Sequence, residues 1–269
     1  MALNHSPSIV TANLIMCLDF ANPKCYNGDV SNGSTVRDMI SLKPFTMSNA
    51  NGYASANNGT IQWTRANTSQ KDGAGLLLTG ANNASGPLTS VNFIYNNHTW
   101  EVWVRIDDIL PGSTQSGYDI TEGASDVSLY SGYHSGFSYD AFSMYYTFWD
   151  SANTAAINIV VGSVGTTNAA SIVQNSWCQI VATNNNSTVT TYINGQPTNV
   201  SYRPSLRPGN TGLVTNQLTL GKTANLGANT GAYLTYAKNT ISNMKMYNRA
   251  LSNTEISQNF NAIRKRFGL

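Results

Sequence analysis

The chain has 269 residues, a formal net charge of +2 and a charged fraction of only 10%, against about a quarter in ordinary globular domains. Such a balance offers no concentrated basic footprint for nucleic acid, and no apolar run approaches the roughly 20 residues that span a bilayer. Length alone allows a full core, so neither disulfides nor a metal is needed to offset the entropy of folding.

Residues 1–12 read as an N-terminal arm that lacks the charged start and long apolar core of a signal peptide. Synthesis in the cytoplasm without export by that route is expected. From Leu14 to Phe20 the apolar Leu14, Met16, Leu18 and Phe20 alternate with Ile15, Cys17 and Asp19, the period of a strand with one strongly apolar face. A long loop opens at Asn22-Pro23-Lys24-Cys25-Tyr26, and Trp63 and Leu76-Leu77-Leu78 mark short strands beyond it.

Thr99 to Ile106 is the clearest strand, with Trp100, Val102, Val104 and Ile106 on one face and Glu101, Trp103 and Arg105 on the other. A half-buried sheet is expected there, with Glu101 and Arg105 as a solvated same-face pair. Residues 107–141 read as a loop insertion. Ser143–Trp149 and Ala156–Val164 form a hairpin joined through Asp150 to Asn153. Trp177–Thr183 and Thr188–Asn194 form another across Asn184-Asn185-Asn186-Ser187, because Asn tolerates the left-handed conformations that close such loops. Ile193-Asn194-Gly195 turns the chain again, and Leu218–Lys222 and Thr240–Tyr247 complete the series. Many short strands with no amphipathic helix between them imply a sandwich. No linker divides the chain, so residues 1–269 are expected to form one domain.

Ser252-Asn253-Thr254-Glu255 matches a capping box and predicts a C-terminal helix over 252–267. Ile256, Phe260, Ile263 and Phe267 recur at helical spacing as one apolar stripe, and Gly268 is placed to end the helix. The run Arg264-Lys265-Arg266 then puts cations where the helix dipole favours them.

The residues that could do chemistry do not assemble into a motif. Cys17, Cys25 and Cys178 are an odd set without metal-ligand spacing; Cys17 and Cys178 fall in strands as buried thiols, and Cys25 sits in a loop where exposure is expected. His5, His98 and His134 stand beside no recognisable nucleophile, and Gly132-Tyr133-His134-Ser135-Gly136 misses the nucleophile-elbow spacing. The Asn-X-Ser/Thr sites at Asn32, Asn67, Asn97 and Asn199 are what an Asn-rich and Thr-rich composition produces by chance. What remains is an aromatic cluster, Tyr118, Tyr130, Tyr133, Phe137 and Tyr139, whose flat faces and hydroxyls suit a sugar ring or a protein partner.

Several segments resemble one family: Leu18-Asp19-Phe20-Ala21-Asn22-Pro23, Thr99-Trp100-Glu101-Val102-Trp103-Val104, Trp177-Cys178-Gln179-Ile180-Val181-Ala182-Thr183, Thr191-Tyr192-Ile193-Asn194-Gly195, Tyr247-Asn248-Arg249-Ala250-Leu251-Ser252 and Asn259-Phe260-Asn261-Ala262 through Leu269. In this order they are similar to laminin-G-like, concanavalin A-like jelly rolls, and chiefly the ending from Asn259 through Leu269 resembles domains in virion proteins of tailed, cyanophage-like bacteriophages. The resemblance implies an all-β sandwich of two antiparallel sheets with neighbouring N- and C-terminal strands and a short C-terminal helix. Glucanases of this fold set alternating carboxylates along one strand, but Glu101 is followed two positions on by Trp103, and Glu122 and Asp126 have no further Glu beside them. Some laminin-G relatives bind calcium through oxygen ligands; Asp119, Glu122 and Asp126 match no calcium loop, so the resemblance leaves calcium open without a site, and no other cofactor is expected.

From the resemblance the expected protein is a non-enzymatic bacteriophage virion structural protein, a capsid decoration or surface component. Its partners would be other virion proteins and copies of itself, and its place the virion surface. The alternative is a glycan-binding adhesion module of a tail or head fibre that recognises host surface polysaccharide through the aromatic cluster. A glycoside hydrolase is the third reading.

Overall fold

The computed structural model describes residues 8–26, 35–48, 62–64, 75–79, 83–87, 97–108, 127–133, 140–148, 154–161, 164–173, 175–185, 188–202, 217–220 and 238–269. Its strands begin with β1 (Leu14–Asp19), β2 (Thr35–Arg37), β3 (Pro44–Ser48), β4 (Gln62–Thr64), β5 (Gly75–Thr79) and β6 (Asn83–Pro87). They continue with β7 (His98–Asp108), β8 (Val127–Tyr133), β9 (Asp140–Phe148), β10 (Thr154–Val161) and β11 (Val164–Val173). The last are β12 (Trp177–Asn184), β13 (Thr188–Ile193), β14 (Gln196–Tyr202), β15 (Gln217–Leu220) and β16 (Lys238–Tyr247), before helix α1 (Asn253–Ile263) and a 3-10 turn, Arg264–Phe267.

The strands form two eight-stranded antiparallel sheets. The first runs β14-β13-β12-β7-β16-β5-β4 with β1 paired to β16, and the second runs β11-β10-β9-β8-β15-β6-β3-β2. The first and last strands are neighbours, from Leu14 opposite Tyr247 to Asp19 opposite Asn243. This is the expected all-β sandwich.

The sequence reading differs from the structure in several elements. Strand β8 lies inside the segment read as a loop insertion, and β7 and β9 reach Asp108 and Asp140 at its two sides. Val127-Ser128-Leu129-Tyr130-Ser131-Gly132-Tyr133 carries too few aliphatic residues for the alternation to stand out; pairing on both sides, to β9 and β15, makes it a strand. Strands β2, β3, β6, β11 and β14 were likewise not read as strands, being short or rich in Ser, Thr, Asn and Pro.

The centre of the first sheet is buried on both faces. Every residue of β12 is buried, as are Thr99 to Val104 of β7 and Thr240 to Tyr247 of β16. One face presents Trp100, Val102, Val104, Ile180, Ala182, Met244 and Met246 toward the sandwich interior. The other is covered by α1 and the 3-10 turn, which is why the expected half-exposed sheet does not occur.

The helix begins as its sequence dictates. The Ser252 hydroxyl accepts from the Glu255 N–H at 3.4 Å and the Glu255 carboxylate accepts from the Ser252 N–H at 2.9 Å, a closed capping box. Arg249 adds two bonds to the same carboxylate, at 2.8 and 2.6 Å. The α-helix stops at Ile263, and the basic run winds as the 3-10 turn until Gly268, at φ 76°, closes it. Arg266 is therefore no free dipole partner; it forks onto Asp19 of β1 at 2.8 and 3.0 Å and donates to the Ser242 hydroxyl at 2.9 Å.

The predicted stripe forms, deepest at its ends. Ile256 and Phe267 are buried, while Phe260 and Ile263 are partly covered. Trp103 stacks on Phe267 at 4.2 Å and on Phe260 at 5.7 Å, with Trp177 against Phe267 at 4.8 Å. The β13–β14 hairpin fits beneath the helix because Asn194 and Gly195 both adopt left-handed backbone, φ 51° and 77°, the turn that Asn-Gly favours. A Cβ on Gly195 would stand 3.1 Å from Phe260 Cβ, so a side chain there would crowd the helix as well as strain the left-handed backbone.

Replacing Phe267 with Ala is expected to cost about 3 to 5 kcal/mol, and replacing the half-covered Phe260 about 1 to 3 kcal/mol. Urea denaturation of the two variants tests that order. The Arg249 hydrogen bonds, with those of Ser252, hold the Glu255 carboxyl down at about 2 against an ordinary 4.5. A depressed folded-state value contributes stability above the unfolded value and loses it as pH falls. Thermal melts from about pH 4.5 to 2 should therefore show a decline that Glu255→Gln flattens.

Candidate functional site

Among the described residues, the carboxylate buried in the middle of the first sheet is that of Glu101. In register it stands between Lys245 of β16 and Val181 of β12, on the face roofed by α1, and it is fully buried. Its Oε1 accepts from Lys245 Nζ at 2.8 Å and Gln179 Nε2 at 3.1 Å, and its Oε2 accepts from Asn259 Nδ2 at 2.7 Å. Asn259 Nδ2 also reaches the Tyr247 hydroxyl at 2.9 Å, and that hydroxyl donates to the Val10 carbonyl at 3.0 Å. Val10 N–H closes the loop on Asn259 Oδ1 at 2.7 Å. Burial, reinforced by the negative Glu101, pushes the Tyr247 phenol far above its ordinary range and keeps it a donor.

This corrects the expected solvated Glu101–Arg105 pair. The two share a face, but the helix covers it, and the Arg105 guanidinium instead lies over the Trp177 ring at 5.4 Å. A carboxylate so enclosed cannot meet a substrate.

Other reactive groups with described side chains also have structural partners. Asp19 holds Arg266, and Asp38, buried, accepts from the N–H groups of Cys17, Ile40 and Ser41 at 2.8, 3.1 and 2.9 Å and from the Ser41 hydroxyl. Cys25 is buried, contrary to its loop position, with its sulfur accepting from the Asp19 N–H at 3.2 Å. Burial raises the thiols of Cys17 to about 11 and of Cys25 and Cys178 to about 12, so none is a thiolate at neutral pH. His98 is buried with its ring centre 4.3 Å from that of Trp100. Among the described residues no three His, Cys, Asp or Glu side chains are grouped to hold a metal ion. Asp119, Glu122, Asp126, His5 and His134 lie outside the described residues.

Of the aromatic cluster, Tyr130 and Tyr133 lie on β8, inside the second sheet. Tyr130 pairs with Leu220 and Met144, and Tyr133 with Gln217 and Asp140. Tyr118, Phe137 and Tyr139 lie outside the described residues.

A family profile described as the concanavalin A-like lectin/glucanases superfamily, of the laminin-G type, matches residues 79–257. The chain belongs to this superfamily. No curated protein matches its sequence. Among solved structures, Trypanosoma rangeli sialidase aligns with a TM-score of 0.63 and 19% identity over 96% of this chain and 34% of the sialidase. The binding domain of botulinum neurotoxin DC, in complex with rat synaptotagmin II, gives 0.59 and 12% over 94% of this chain and 52% of that chain. Botulinum neurotoxin type C, which depends for entering cells on interaction with two ganglioside molecules, gives 0.58 and 11% over 94% and 51%. The chain thus spans about a third of the sialidase and about half of the toxin chains. At these identities the likeness shows a common fold. It also corrects the virion expectation: these neighbours are sialidases and toxin chains, and the likeness supports a lectin-like fold, not a bacteriophage structural role.

Removing one partner of a buried ion pair leaves an uncompensated charge, so Glu101→Gln or Lys245→Met should each cost about 3 to 5 kcal/mol. The double replacement should cost less than the two losses summed, with a coupling above about 1 kcal/mol. Chemical denaturation of the three variants measures it; additive losses would mean that the pair is not coupled.

Proposed function

We propose that this protein is a non-catalytic, lectin-like module that recognises surface glycans without a cofactor. The observation that carries the reading is the division of labour between the sheets. The helix occupies the outer face of the first sheet and its central carboxylate is enclosed, which leaves the second sheet to meet a ligand; Tyr130 and Tyr133, three apart on β8, belong to opposite faces of that sheet, so one of the two is on the outer face. Tyrosine suits that task because its ring offers a flat apolar face to a sugar and its hydroxyl a point of orientation. The low charge of the chain fits a ligand bound by uncharged hydrogen bonds and stacking. The superfamily and the ganglioside-dependent toxin among its structural neighbours support the same class of ligand.

Self-association would raise the effective affinity of such weak contacts by presenting several sites together. A glycan array probed with the purified protein tests the proposal: binding to a subset of glycans is expected, reduced about tenfold when Tyr133→Ala and Tyr139→Ala are combined. Absence of binding to every glycan would overturn it.

A further inference from the structure

The segment Arg37–Lys43 is unusual in both its backbone and its surface. Asp38 turns its carboxylate inward onto the Cys17, Ile40 and Ser41 N–H groups. The backbone adds three clamps, Met39 N–H to Cys17 O, Leu42 N–H to Asp38 O and Asp38 N–H to Lys43 O, each at 2.9 Å. This loop is rigidly fastened to β1, yet what it presents to solvent is apolar: Ile40 is 47% exposed and Leu42 61%. Two of the four exposed large hydrophobic side chains among the described residues therefore sit on one short loop.

Leu42 also adopts φ 60°, a left-handed conformation that disfavours a side chain and suits Gly or Asn. Leucine is thus unfavourable at this position on both counts, strain and exposure, and the fold alone gives no reason for it. Strained positions held by their surroundings gather at functional sites.

Among the described residues, the unpaired charges of the two segments at the tip have one sign. Arg37 and Lys24 are exposed and Lys43 is half-exposed, and the Arg37 N–H donates to the Cys25 carbonyl at 2.7 Å, which brings the Lys24 turn beside the loop. The acids nearest in these segments are occupied, Asp38 by its own loop and Asp19 by Arg266. Aliphatic side chains ringed by cations match the boundary of an anionic bilayer, where apolar burial and attraction to acidic headgroups add.

We infer that the Ile40–Leu42 tip, with Lys24, Arg37 and Lys43 around it, docks the protein peripherally on an anionic lipid surface. The docking crosses no membrane and is independent of the glycan reading, since it requires only phospholipid.

Flotation with glycan-free vesicles of phosphatidylcholine, with and without phosphatidylserine, tests it. The protein should float with the phosphatidylserine vesicles, and binding should weaken at high salt. Leu42→Gly should reduce binding about tenfold while leaving the melting temperature unchanged or higher, because glycine relieves the left-handed strain. Combined Arg37→Gln and Lys43→Gln should reduce it as well, whereas Val173→Ser, which removes an exposed apolar side chain elsewhere, should not. No binding to phosphatidylserine vesicles, binding unaffected by Leu42→Gly, or binding only to a protein partner would each overturn the inference.

Discussion

A charge placed where water cannot reach must be neutralised, and in this protein that demand falls on Glu101. Buried ion pairs are poor sources of net stability, because desolvation offsets most of the attraction. Their effect is on what the surroundings are allowed to be. Glu101 has three donors from three elements, Lys245, Gln179 and Asn259, and each bond is available only when β16, β12 and α1 stand in one arrangement. A helix rotated on the sheet would lose Asn259, and a slipped β16 would lose Lys245. The aromatic stack of Trp103, Phe260 and Phe267 supplies non-directional burial, and the polar cluster selects which burial occurs.

Much of the first sheet was legible in the sequence. The alternation in β1 and β7 reflects which side chains face the sandwich interior, the Asn run between β12 and β13 marks their hairpin, and the box at Ser252 and Glu255 specifies its helix start by local hydrogen bonds alone. The burial of Glu101 was not legible, because the cover over its face comes from residues more than 150 positions later. Glu101 and Arg105 are spaced as any solvated pair would be. A usable signal existed in Lys245, a second charge flanked by Met244 and Met246 near the end of β16.

The second sheet was harder to read for a different reason. Its strands carry Ser, Thr, Gly, Asn and Tyr, whose preferences overlap those of loops, so β8 and β11 are strands by virtue of partners on either side. The segment Asn259-Phe260-Asn261-Ala262 shows the limit of motif reading in the other direction. Asn259 is there to satisfy Glu101 and Val10, and Phe260 to cover Trp103, so packing within this chain accounts for both residues without a virion role. The candidate aromatic site was only partly legible, since Tyr130 and Tyr133 share a strand but the sequence alone made them loop residues.

The N-terminal arm has a mechanical corollary. Ser8 and Val10 are bonded to Gln258 and Asn259, and Asn13 to Asn248, so both ends of the folded body are fastened to one seam. Tension applied between them would load that seam together with the Arg266–Asp19 fork and the Phe267 stack at the helix end. Yielding there would lift the arm and helix from the first sheet and open Glu101 to water, so the polar cluster would come undone from its edge inward.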